Sequence, residues 1–85
     1  MSYNLQFSSN FDKQLKKIHP QDAKRAVKEI ETLQTNPFPK GKKVKHLIGT
    51  KAWRLRVSKV RIIFFVNEKD RTIYIEDVAY RKDIY

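Results

Sequence analysis

The sequence predicts an α+β domain: a helical hairpin packed on one face of a small, largely antiparallel four-stranded sheet, in the order β-α-α-β-β-β. Three observations predict it. Residues 52–66, AWRLRVSKVRIIFFV, read as two strands joined by a tight turn. Residues 8–33 carry apolar positions at helical spacing, interrupted by His19-Pro20. Residues 71–79 return to a strand pattern with Ile73, Ile75 and Val78 apolar. Helices segregated to one face of an antiparallel sheet are a stable two-layer solution, and the whole chain, residues 1–85, reads as a single domain.

The elements follow in order. Tyr3, Leu5 and Phe7 alternate with Asn4 and Gln6, a short first strand. Ser8, Ser9 and Asn10 are helix-starting residues. Phe11, Leu15 and Ile18 then fall on one face of a helix of about three turns. Pro20 suits the first position of a second helix, and Asp22 its first turn. Ala23, Ala26, Val27, Ile30 and Leu33 form that helix's buried stripe, and Asn36-Pro37 stops it. A basic loop, Lys40 to Lys43, follows; Val44 to Ile48 reads as either a short strand or an irregular approach to the main hairpin.

In the hairpin, Trp53, Leu55 and Val57 alternate with Arg54, Arg56 and Ser58. Val60 to Val66 is apolar on both faces except at Arg61, as a central strand should be. With the turn at Ser58-Lys59, Arg56 lies opposite Arg61 and Arg54 opposite Ile63, all on the face away from the helices. Like charges directly opposite destabilise a sheet by up to ~1 kcal/mol. An arginine cluster retained despite that cost is a seat for an anion. Ser-Lys lacks the Gly or Asn that two-residue hairpin turns prefer, so the register rests on the alternation alone. Residues 67–70 make the next turn, Arg71 to Ala79 the last strand, and Tyr80 to Tyr85 the tail.

A formal net charge of +10 calls for an acidic partner. No acidic residue stands between Glu31 and Glu68, while Lys40, Lys42, Lys43, Lys45, Lys51, Arg54, Arg56, Lys59 and Arg61 do. The chain has no cysteine, which excludes thiol chemistry and a disulfide framework and fits a reducing cytoplasm. There is no signal-peptide pattern and no apolar run of the ~20 residues a membrane span needs.

Guanidiniums match a phosphodiester with fixed charge and forked donors, but do not act as bases at neutral pH. Proton transfer needs other groups. Tyr80, Tyr85 and His46 are the candidates; phenols are made more acidic by an arginine nest, and a lone loop histidine is more often polar surface. No carboxylate pair or His/Cys cluster suggests a metal, and no Gly-rich loop suggests a nucleotide, so no cofactor is expected. Trp53 and Phe64 read as core rather than base-stacking platforms.

WRLRV-x(2)-VRIIFFV followed by IYIEDVAYRKDIY resembles the RelE/ParE superfamily of toxins from type II toxin–antitoxin systems, on its RelE-like branch. The family's two basic strands, its terminal basic-x-x-x-Tyr segment and its element order all match. The resemblance implies ribosome-dependent, metal-independent cleavage of messenger RNA, by attack of a ribose 2′-hydroxyl on the adjacent phosphate. It implies Arg56, Arg61, Arg81 and Tyr85 as catalytic residues. Arg54, Lys43, Lys45, Lys51, Lys59 and Tyr80 would contact the RNA. Ala79-Tyr80 stands where relatives carry Gly-His, so a histidine that some of them use is absent. The implied partners are a cognate RelB-like antitoxin and messenger RNA on the ribosome, in the cytoplasm and away from membranes. The alternatives are a ParE-like inhibitor that binds DNA gyrase and cuts nothing, and a basic binding module without toxicity.

Overall fold

The computed structural model describes residues 2–39 and 43–83. The chain forms β1 (Asn4–Phe7), α1 (Ser9–Leu15), α2 (Pro20–Thr32), β2 (Val44–His46), β3 (Trp53–Val57), β4 (Val60–Asn67) and β5 (Thr72–Tyr80), then a 3₁₀ turn, Arg81–Asp83. The sheet order is β1-β5-β4-β3-β2, with β1 parallel to β5 and the other pairs antiparallel. The class is the expected one, with a fifth strand. Val44–His46 pairs with Trp53–Leu55 at the sheet edge, and three residues are too few to display a period.

The expected β3–β4 register is the observed one, with Arg56 opposite Arg61 and Arg54 opposite Ile63. Ser58 enters the left-handed region, φ 53, to make the turn. That costs a non-glycine residue about 1–2 kcal/mol, which pairing on both sides of the turn offsets.

Leu55, Val57, Val60, Ile62, Phe64, Ile73, Ile75 and Val78 form the sheet side of one buried core. Phe11, Ile18, Ala26, Ile30 and Leu33 form its helical side. The first helix is shorter than its apolar spacing suggests. It ends at Leu15, where Lys17 and Ile18 donate to the carbonyls of Gln14 and Leu15, three residues back. This tighter turn still delivers Ile18 to the core, 6% exposed, before Pro20 starts α2.

The strand ladder breaks once. Phe64 pairs with Ile75 but Ile63 pairs with Asp77, so Glu76 is an extra residue bulged out of β5. Its carbonyl accepts from the Ser8 hydroxyl at 2.8 Å and the Asn10 amide at 3.1 Å. The same Ser8 oxygen caps α1 by accepting from the Phe11 N–H at 2.9 Å. A bulged residue leaves the ladder's pairing, and here the start of α1 occupies the freed carbonyl.

Candidate functional site: an arginine-lined cleft

The bulge decides whether the tail can join the hairpin. Four residues, Glu68 to Arg71, separate the paired Asn67 and Thr72. A regular ladder beyond that turn would set Arg81 on the helix-facing side, because side chains alternate. The one-residue shift at Glu76 restores the phase: Arg61 pairs with Ala79, and Arg81, two residues on, follows Ala79. The Arg81 N–H donates to the Lys59 carbonyl at 2.8 Å, fixing the tail against the hairpin turn.

Arg56, Arg61 and Arg81 consequently line one cleft of about 930 Å³. His19, Gln21, Asp22, Ser58, Lys59, Tyr80 and Lys82 complete its lining. Among the described residues the lining carries five cations, Arg56, Lys59, Arg61, Arg81 and Lys82, against the single carboxylate of Asp22, so it favours an anion. Arg61 is only 5% exposed and Arg54 only 7%. The face away from the helices is therefore not open at these positions, contrary to the sequence expectation. Arg61 sinks because the start of α2, the hairpin turn and the turn after β5 wall the cleft around it. Arg54 sits on an inner strand, paired with Lys45 on one side and Ile63 on the other. Confined guanidiniums lose little freedom when they grip a phosphate, and reduced solvent screening strengthens the attraction.

The other candidates are scattered. Lys45 is exposed beside Arg54 in register. Lys43 turns to the helical layer and ion-pairs with Glu29 at 3.2 Å. Lys51 is exposed ahead of β3 and does not line the cleft. His46 stands on the helix-side row with Trp53 and Phe64, its ring 4.9 Å from that of Trp53, away from the arginines. Tyr85 and the basic-loop residues Lys40 and Lys42 lie outside the described residues.

Tyr80 lines the cleft, but its hydroxyl is engaged with α2. It accepts from the His19 N–H at 2.9 Å and donates to Asp22 Oδ2 at 3.2 Å. Sequence reasoning missed His19 as a cleft residue. Its side chain caps α2, with Nδ1 accepting from the Gln21 N–H at 3.2 Å. The available signal was Pro20, which at the first helical position makes the preceding residue the cap. Among the described residues no group of three His, Cys, Asp or Glu side chains could hold a metal ion. No helix among them is long and apolar enough to cross a membrane.

Residues 5–85 match the family described as the ParE toxin of the type II toxin–antitoxin system parDE. The chain belongs to this toxin family. It is 36% identical over 87 residues to a candidate toxin, RelE1 of Methanocaldococcus jannaschii, covering 100% of this chain and 97% of that protein. It is also similar to the toxin in the RelE–RelB complex of Pyrococcus horikoshii: TM-score 0.81, 28% identity, 95% of this chain and 97% of that one. Against the RelB–RelE complex of Methanococcus jannaschii the TM-score is 0.75 and the identity 32%, with 93% of each chain covered. The protein is thus a toxin of the RelBE type, and the two-layer α+β fold is that of RelE structures.

Proposed function

We propose that the toxin is a ribosome-dependent, metal-independent endoribonuclease of messenger RNA, held inactive by a RelB-like antitoxin. The observation that carries this reading is the convergence of Arg56, Arg61 and Arg81 in one cleft, brought about by the Glu76 bulge. In the reaction a ribose 2′-oxygen forms a bond to the adjacent phosphorus and the bond to the 5′-oxygen breaks. The 2′-hydroxyl loses its proton and the departing 5′-oxygen gains one, leaving a 2′,3′-cyclic phosphate and a 5′-hydroxyl. Negative charge grows on the phosphorane oxygens, where preorganised donors act most strongly. Arg61 and Arg81 take those oxygens. Arg56 and Arg54 hold the backbone, with Lys59 at the cleft rim and Lys45 beside Arg54. The ribosome supplies the alignment of the 2′-oxygen with the phosphorus, in the cytoplasm. Tyr85 remains assigned to the reacting nucleotide.

The partner follows from charge and from the relatives. A net charge of +10 suits an acidic or amphipathic antitoxin, and the similar structures are RelE–RelB complexes. Induction of the wild type is expected to arrest growth, with new messenger RNA 5′ ends inside open reading frames. Arg61→Ala and Arg81→Ala abolish both. Arrest with intact transcripts would refute the nuclease reading. It would favour gyrase inhibition instead, a reading supported by the ParE description of the matched family.

A further inference from the structure

We infer that His19, at the start of α2, is a neutral hydrogen-bond donor to the RNA strand in the arginine cleft, binding backbone next to the scissile phosphate. The inference rests on the nuclease reading and adds a binding residue from the helical layer to it. Two observations carry it. His19 lines the same cleft as Arg56, Arg61 and Arg81, but from the α2 wall rather than the sheet. The Gln21 N–H can only donate, so the ring nitrogen facing it, Nδ1, carries no proton. A neutral imidazole then carries its proton on Nε2, which presents an N–H and no lone pair. The ring in this state is a donor and cannot serve as a base.

Tyr80 fixes the His19 backbone, and through Asp22 it ties the first turn of α2 to the end of β5. The ring is therefore carried on the same rigid junction that places Arg81. Among the described residues the charged groups sharing the cleft are Asp22 on α2, Arg56 on β3, Lys59 in the turn, Arg61 on β4, and Arg81 and Lys82 after β5. A cleft of about 930 Å³ is larger than one phosphate needs. The remaining room lets a donor on the α2 wall engage backbone next to the phosphate being cut.

Asn and Asp are both better helix caps than His, which separates this role from a structural one. His19→Asn and His19→Asp are to be compared with the wild type and Arg61→Ala on ribosomes programmed with a short messenger RNA, with thermal midpoints measured in parallel. His19→Asn is expected to raise KM about tenfold at unchanged kcat, the signature of lost uniform binding. His19→Asp, which sets a carboxylate against the phosphate, raises it further. Neither lowers the thermal midpoint. Wild-type KM in both variants would overturn the role of His19 while the nuclease reading stands. KM losses that track lowered midpoints would overturn it too, by making the histidine a cap only. Absence of cutting by the wild type, or full cutting by Arg61→Ala, would remove the nuclease reading and this inference together.

Discussion

Ser8→Ala tests how the bulge is held. The Ser8 oxygen makes two bonds, accepting from the Phe11 N–H and donating to the Glu76 carbonyl. Loss of a serine cap costs about 1 kcal/mol. The bond to Glu76 is solvent-exposed and shares its acceptor with Asn10, so it adds only about half of the ~1 kcal/mol that a net intramolecular hydrogen bond contributes. The expected total is about 1.5 kcal/mol. At about 4–8 °C per kcal/mol for a domain of this size, the thermal midpoint falls by roughly 6–12 °C. Urea unfolding monitored through Trp53 measures it, with the slope unchanged if the same surface is exposed. Ser8→Thr retains both bonds and stays near the wild type. Ser8→Asp recovers only the cap. Combining Ser8→Ala with Asn10→Ala costs more than the sum of the two, because each alone leaves the other donor on the carbonyl. A Ser8→Ala loss below ~0.5 kcal/mol, the range of an ordinary surface change, would refute the reasoning.

Other perturbations separate structural from substrate-facing groups. Tyr80→Phe removes the hydroxyl between His19 and Asp22. It should cost about 1 kcal/mol in urea unfolding while leaving the ring in the cleft and kcat within a few-fold of the wild type. Phe64, fully buried in the core, should lose about 3–5 kcal/mol on replacement by Ala, the usual loss for a buried aromatic, read as a shifted urea midpoint. Tyr3 donates its phenol proton to Glu68 Oε1 at 2.5 Å; that bond and burial raise its pKa above the ordinary value of 10.0, against the opposing charge of Arg71. The folded state therefore holds this proton more tightly, so the contribution is full below pH ~10 and is lost as pH rises through the folded pKa. Wild-type stability should fall above pH ~10 more steeply than that of Tyr3→Phe; parallel pH profiles would contradict this.

The sequence made the hairpin legible because Trp53, Leu55 and Val57 alternate with Arg54, Arg56 and Ser58, which separates the two faces of β3, and a turn at Ser58-Lys59 pairs them with Phe64, Ile62 and Val60. That signal outweighed the poor turn chemistry of Ser58, whose φ of 53 comes from pairing rather than from local preference. The helical stripe of α2 was readable for the same reason: Ala26, Ile30 and Leu33 are buried where the spacing put them. The bulge was harder. Ile73, Ile75 and Val78 depart from strict alternation, which marks a phase break, but the side chains of Glu76 and Asp77 do not say where the extra residue sits. Burial of Arg54 and Arg61 depends on segments distant in the chain, so no local pattern carries it. His19 was overlooked because a histidine before a proline reads as a boundary, while the approach of that boundary to the end of β5 is a tertiary fact.

Glu76 gives β5 two reading frames. Before it, odd-numbered residues face the helices; after it, even-numbered ones do, as Ile73, Ile75 and Val78 display. A frame is counted in paired residues, so deleting Glu76 should leave Val78 and Arg81 on their present faces while removing the docking point for the start of α1. Keeping Glu76 but flattening the bulge would do the reverse: Asp77 and Arg81 would turn toward the core and Val78 toward water, forfeiting about 1.5–3 kcal/mol of apolar burial for Val78 alone. The offset is therefore enforced from the core side. The same apolar side chains that hold the domain together also set where its last arginine points.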